Sequence, residues 1–248
     1  MCLILYKPKH VKVDLDLLHS ASQYNPHGYG LMALSGPQKI HVIRGLHGSF
    51  DHLRRACEHF TRHECVIHLR LRTRGYINNA NTHPFKLTDA VYMAHNGTLD
   101  INCRVPGRSD SWHMANDVLS PLLQYSSSLL HNENFQRYLS EKIGSDNRMV
   151  FMDAHRQKTI IINEPLGIEF KGVWLSNTKW FDAARFGVAA ANPLHESTPA
   201  QHRTRLDLLS GRFGQQFNAF HWAGRNHHRQ LGRSCRASQL SGGRQETE

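Results

Sequence analysis

Apolar positions come in short bursts along roughly the first 190 residues, and the period of each burst predicts an element. Cys2 to Tyr6 reads as a strand stopped by Pro8. A polar stretch then leads to Asn25-Pro26-His27-Gly28-Tyr29-Gly30-Leu31, a turn rich in residues that tolerate unusual backbone angles. Strands are expected over Leu31 to Leu34 and over Lys39 to Arg44, where Ile40 and Val42 alternate with polar neighbours. Ser49 reads as a helix N-cap, and Phe50, Leu53, Cys57 and Phe60 follow at helical spacing. Cys65 to Leu71 and Ala90 to Ala94 read as strands, the second ending at the turn signal His95-Asn96-Gly97. Helices are expected over Ser111 to Tyr125, kinked or divided at Pro121, and over Asn132 to Ile143. Strands return at Arg148 to Asp153, Lys158 to Asn163, Lys171 to Leu175 and Phe186 to Ala190. Strands, then helices, then strands indicate an α+β layered protein with antiparallel sheets, not a doubly wound fold.

The pattern fails beyond about His195. From there to Glu248 stand eight arginines against four acidic residues, with much Gly, Ser, Gln and His. The expected organisation is therefore a domain over 2–194 and a largely disordered basic tail over 195–248, with a short helix proposed within it over Leu206 to Phe220.

Composition changes this picture little. With 248 residues, 40% hydrophobic and 20% charged, the chain suits one full-sized domain plus a tail. No apolar run approaches the roughly 20 residues that span a bilayer, and Leu3 to Tyr6 is too short for a signal-peptide core. A soluble, cytoplasmic protein with no membrane partner is the expectation. The five cysteines, Cys2, Cys57, Cys65, Cys103 and Cys235, contain no C-x-x-C pair, which argues for free thiols. The 19 histidines do not stand at ligand spacing beside them, so neither metal nor cofactor is expected. A net charge of +10 raises nucleic acid as a partner, met through the basic tail, where Phe217, Phe220 and Trp222 would stack on bases. Most basic residues, however, are dispersed among acidic ones.

The candidate chemistry begins at Met1-Cys2. Removal of Met1 leaves a thiol and a free α-amine on one residue. With a reference pKa of about 8, that amine serves as a base for the adjacent nucleophile near neutral pH.

Further blocks accompany Cys2. They are His68-Leu69-Arg70-Leu71-Arg72-Thr73-Arg74-Gly75, Asn81-Thr82-His83-Pro84-Phe85, His95-Asn96-Gly97-Thr98-Leu99 and Ser109-Asp110-Ser111, with the turn Gly28-Tyr29-Gly30-Leu31 and Ser176-Asn177-Thr178. In order and spacing over residues 2–190 they resemble the class II glutamine amidotransferases, whose mature N-terminal cysteine is the nucleophile. The resemblance implies the four-layer αββα sandwich of N-terminal-nucleophile hydrolases, two antiparallel sheets between helical layers. It also implies release of ammonia from the side-chain amide of glutamine through a γ-glutamyl thioester on Cys2.

On that reading Arg70 grips the substrate carboxylate through its planar fork, helped by Thr73. Asp110 meets the ammonium, and His83 lines the pocket. The Asn96 amide and the Gly97 N–H receive the oxyanion. His68 and His95 are expected to be buried, hydrogen-bonded supports. Each residue also has a plainer reading: Arg70 and Arg72 as solvated strand charges, Asn96-Gly97 as a hairpin turn, Asp110 as a helix cap, Cys57 as core.

Two positions depart from the pattern. Trp112 stands where the family's S-D-[ST]-E motif has glutamate, and His27 where an aspartate often precedes the turn glycine. Both leave room for an amide other than free glutamine. About 58 residues follow position 190, too few for a synthase domain, which points to ammonia transfer on a separate acceptor protein. Two alternatives stand beside this: a stand-alone amidohydrolase of a γ-glutamyl-like amide, and a basic nucleic-acid-binding protein on a catalytically idle sandwich.

Overall fold

The computed structural model describes residues 2–46, 50–179 and Phe186. Ser49, the rest of the strand expected over 186–190, and the tail with Phe217, Phe220 and Trp222 lie outside the described residues; Phe186 itself is helical.

Among the described residues ten strands form two antiparallel sheets. The first joins β1 (Leu3–Lys7), β2 (Tyr29–Gly36), β3 (Lys39–Gly45), β4 (Cys65–Leu69), β9 (Ile168–Phe170) and β10 (Val173–Leu175) in the order β3-β2-β4-β1-β10-β9. The second joins β5 (Phe85–Lys86), β6 (Val91–Asn96), β7 (Arg148–Asp153) and β8 (Lys158–Ile162) in chain order.

Because strand side chains alternate, each sheet has two faces to bury. Ile4, Met32, Val66 and Trp174 of the first sheet meet Ala94, Val150 and Met152 of the second in a core between the sheets. The alternate positions Leu3, Leu5, Leu31, Ala33, Ile67 and Leu69 pack outward on the helices α1 (Leu15–Tyr24) and α2 (Phe50–His59). Met93, Met149, Phe151, Ile160 and Ile162 pack outward on the helical layer of residues 110–143. These three apolar layers make the four-layer αββα sandwich, as expected.

Helix α1 lies in the polar stretch to which the sequence reading gave no element. Asp14 caps it, its Oδ1 accepting the backbone N–H groups of Asp16 at 3.1 Å and Leu17 at 3.2 Å. Leu17, Leu18 and Ala21 supply the buried face. The helices expected over 111–125, kinked or divided at Pro121, are three segments: α3 (Asp110–His113), a π-helical stretch (Met114–Leu119) and α4 (Ser120–Tyr125). Pro121 explains the division. It has no N–H to give the carbonyl of Asp117, and its ring crowds that carbonyl, so the α ladder widens ahead of it and restarts with proline in the first turn. Helix α5 (Glu133–Ile143) is capped by Asn132, which accepts from Phe135 N at 3.1 Å.

The sandwich places the second residue of the chain beside the end of β4. Leu3 pairs with Leu69, so Cys2 falls next to Arg70 and Leu71. Gly30 lets the segment at His83-Pro84 press against β2: a Cβ there would run into the His83 carbonyl and the Pro84 ring. Gly30→Ala should therefore destabilise the fold by about 1–3 kcal/mol through overpacking against backbone. Urea denaturation checks this, and a loss below about 0.5 kcal/mol would contradict the close approach.

Candidate functional site

Cys2, Arg70, Thr73, His83, Gly97 and Asp110 line one cleft, together with Leu71, Arg74, Asn81, His95, Ser109 and Ser111. Asn96 is buried immediately before Gly97. The fold thus brings together residues from the chain start, the end of β4, the end of β6 and the start of α3.

The Cys2 thiol sits against the chain leaving β4. Its Sγ lies 3.4 Å from both the N–H and the carbonyl oxygen of Leu71, and Asn177 Nδ2 donates to the Cys2 carbonyl at 2.7 Å. Burial pushes the thiol's pKa up, while the Leu71 contact and the Arg70 charge act the other way and Asp110 adds to the rise. Cys57 and Cys65 are buried thiols pushed up to about 12, which leaves them unreactive core residues.

Arg70 and Asp110 are both almost wholly buried, yet among the described residues neither forms an ion pair. The Arg70 guanidinium is held by carbonyls instead, Nη1 donating to Tyr76 O at 3.0 Å and Nη2 to Arg74 O at 3.2 Å. Burial lowers its pKa. Asp110 Oδ2 accepts the Leu99 N–H at 2.7 Å, so its carboxylate is fixed without a cation. It also opens α3, where Ser109 is the cap, accepting from Trp112 N at 3.1 Å. The plainer reading of Asp110 as the cap gives way to the residue before it. Arg70 is not a solvated strand charge, whereas Arg72 is exposed, as that reading has it.

Residues to which the sequence assigned no role hold these loops in place. Asn81 Nδ2 donates to Tyr76 O at 3.0 Å and Gly107 O at 2.8 Å, and its Oδ1 accepts from Ser109 N at 2.9 Å. It thereby ties the Arg70 loop to the Asp110 loop. Ser111 Oγ and Asn147 Oδ1 lie 2.8 Å and 2.9 Å from the two ring nitrogens of His95. Gly97, at φ +137°, leaves room for Asn147, whose Oδ1 a Cβ would strike. Asn81 and Ser111 stand inside the quoted motifs, which is a signal for them. Asn147 stands in a turn between α5 and β7 with nothing local to mark it.

His95 is buried and hydrogen-bonded, as expected. His68 is buried but differs: neither of its ring nitrogens, nor either of His83's, has a hydrogen-bond partner of ordinary geometry among the described residues. The two rings pack against each other at a tilt of 42° with centroids 4.1 Å apart, and His83 continues onto Phe85 at 4.5 Å, so ring packing replaces hydrogen bonding here. Burial, with Arg70 adding to it, pushes His68 down to about 3 and His83 well below its ordinary value.

The two departures are accommodated. His27 Nδ1 accepts the Arg72 N–H at 2.9 Å, giving the turn a side-chain acceptor where a carboxylate would otherwise serve. The Trp112 ring is partly buried against the second sheet's helical layer, and the Arg108 guanidinium lies 5.0 Å from its centroid.

No protein-family model matches this chain, and no curated protein does. Among solved structures it is similar to the glutamine phosphoribosylpyrophosphate amidotransferase of B. subtilis, complexed with ADP and GMP. That likeness has 16% identity and a TM-score of 0.43 over 73% of this chain and 43% of that one. It is also similar to a glutamine aminotransferase class-II domain protein of Silicibacter pomeroyi, with 15% identity and a TM-score of 0.37 over 71% of this chain and 87% of that one. The chain spans less than half the length of the first. At these scores neither likeness bears on chemistry, which rests on the geometry of the cleft. Among the described residues no group of three or more His, Cys, Asp or Glu could hold a metal, and no helix is long and apolar enough to cross a membrane.

The two packed, buried histidines predict an acid-sensitive fold. His68 stays neutral when folded but binds a proton near pH 6.5 when unfolded, so stability is lost as pH falls from about 6.5 toward 3. His68→Phe removes one such group. Between pH 6.5 and 5 its urea-unfolding free energy should fall less steeply than wild type, by about 1 kcal/mol per pH unit. Equal slopes would contradict a neutral, buried His68.

Proposed function

We propose that this chain is an N-terminal-cysteine amidohydrolase that releases ammonia from the side-chain amide of glutamine. The observation that carries the reading is the pairing of a nucleophile with two buried charges of opposite sign that do not neutralise each other. A buried charge without a counter-ion is expensive, so a cation and an anion held apart in one cleft suit a ligand that supplies both partners. An α-amino acid is such a ligand: its carboxylate meets Arg70 and Thr73, its ammonium meets Asp110, and its side-chain amide extends toward Cys2.

With Met1 removed, the Cys2 α-amine takes the thiol proton and the sulfur attacks the amide carbon. The amide oxygen becomes an oxyanion received by the Asn96 amide and the Gly97 N–H. The C–N bond breaks as the amine returns the proton to the leaving nitrogen, giving ammonia and a γ-glutamyl thioester. Water, deprotonated by the same amine, then cleaves the thioester to glutamate and free thiol. The raised thiol pKa suits this order, since a thiol that stays protonated needs the adjacent base.

A separate acceptor protein for the ammonia is supported by the rim of the cleft. Tyr76, whose carbonyl holds Arg70, is 59% exposed and its ring lies over Gly107; Val105, nearby in the chain, is 42% exposed. The exposed ring of Tyr76, the residue whose carbonyl holds Arg70, favours a docked acceptor over a stand-alone amidohydrolase.

Release of ammonia and glutamate from glutamine tests the reading, run beside Cys2→Ala with N-terminal masses measured on both. Turnover should require Cys2 and a Met-free terminus, with Cys2→Ala at background. Arg70→Lys should raise KM, because lysine lacks the planar fork. No release from correctly processed protein, alone or with acceptor proteins present, would overturn the proposal.

A further inference from the structure

The orientation of Asn96 depends on Ser176, a residue to which nothing above gives a part in the reaction. Ser176 follows β10 and is fully buried. Its Oγ receives the backbone N–H of Ile4 at 2.9 Å and faces Asn96 Nδ2 at 2.8 Å, with Asn177 Nδ2 at 3.5 Å. A hydroxyl has two lone pairs and one hydrogen. Surrounded by nitrogens, this hydroxyl hydrogen has no acceptor among the described residues, while Asn96 Oδ1, also buried, has no donor. Two unsatisfied groups thus stand on neighbouring buried side chains.

One rotation settles both. The oxygen and nitrogen of an asparagine amide are assigned by the hydrogen-bond network around them. With the amide turned over, the Ser176 O–H donates to Asn96 Oδ1, and Ile4 N–H still donates to Ser176. The Asn96 NH₂ then occupies the position with no protein partner, on the residue between His95 and Gly97, both of which line the cleft.

We propose that Ser176 is a positioning residue for the oxyanion donor, its hydroxyl fixing the Asn96 amide with the NH₂ toward the reacting carbonyl. This rests on the glutaminase reading. The same short segment reaches the nucleophile, since Asn177 Nδ2 holds the Cys2 carbonyl and Ser176 N donates to Ile4 O at 2.9 Å. Ser176-Asn177 therefore aligns attacking atom and oxyanion donor from a single anchor.

The test is steady-state glutamine hydrolysis by wild type, Ser176→Ala, Asn96→Ala and the double variant, each checked for a cooperative melt. Ser176→Ala should lower kcat roughly ten- to a hundredfold with KM changed less than about threefold, since the donor is lost as the transition state forms. In the double variant kcat should match Asn96→Ala within about threefold, because Ser176 acts through Asn96. Should Ser176→Ala fail to fold, Ser176→Cys, similar in shape but a weaker donor, carries the same comparison. A folded variant with unchanged kcat, or losses that multiply in the double variant, would overturn the positioning role. A wild type without Cys2-dependent turnover would instead remove the glutaminase reading, and this inference with it.

Discussion

A one-residue slip between β1 and β4 would turn every side chain of one strand to the opposite face. Their register is fixed because Leu3 and Leu5 of β1 and Ile67 and Leu69 of β4 belong to the core under α1 and α2, while Ile4 and Val66 belong to the core between the sheets. In this pairing each apolar side chain of both strands lies in its own core layer. This is what sets Cys2 beside Arg70 and Leu71, and the rest of the cleft is assembled around that edge.

What is assembled is electrostatic as much as geometric. Arg70 is oriented by backbone carbonyls and Asp110 by a backbone N–H, which hold each charge without cancelling it. Asn81 joins the two loops and so fixes the distance a ligand must span. The buried, neutral His68 and His83 put no further charge beside Arg70 near neutral pH. A cleft with a buried cation, a buried anion and one thiol is a narrow specification, and the proposed amino acid with a side-chain amide meets it.

Much of this was legible in the sequence. The alternation at Lys39 to Arg44 and the run at Arg148 to Asp153 marked their strands, and the motif blocks named Cys2, Arg70, Thr73, His83, Gly97 and Asp110 before any geometry brought them together. Other features were not legible, for physical reasons. Helix α1 carries its apolar face on only Leu17, Leu18 and Ala21 among polar residues, so its signal was the Asp14 cap, not periodicity. The π-helical stretch before Pro121 reflects local competition between a missing donor and a packed apolar face. Asn81, Asn147 and Ser176 act through partners 26 to 80 positions away, a separation that no window along the chain detects.

The proposed chemistry turns on Cys2, as the first residue of the processed chain, carrying the substrate's acyl group. Acid-quenching the protein during turnover of glutamine, digesting it and measuring the N-terminal peptide by mass spectrometry tests this most directly. A γ-glutamyl group in thioester linkage is expected on Cys2 of a peptide that lacks Met1, and none on Cys57, Cys65 or Cys103. An acyl group on another cysteine, or turnover that proceeds with Met1 in place, would contradict it.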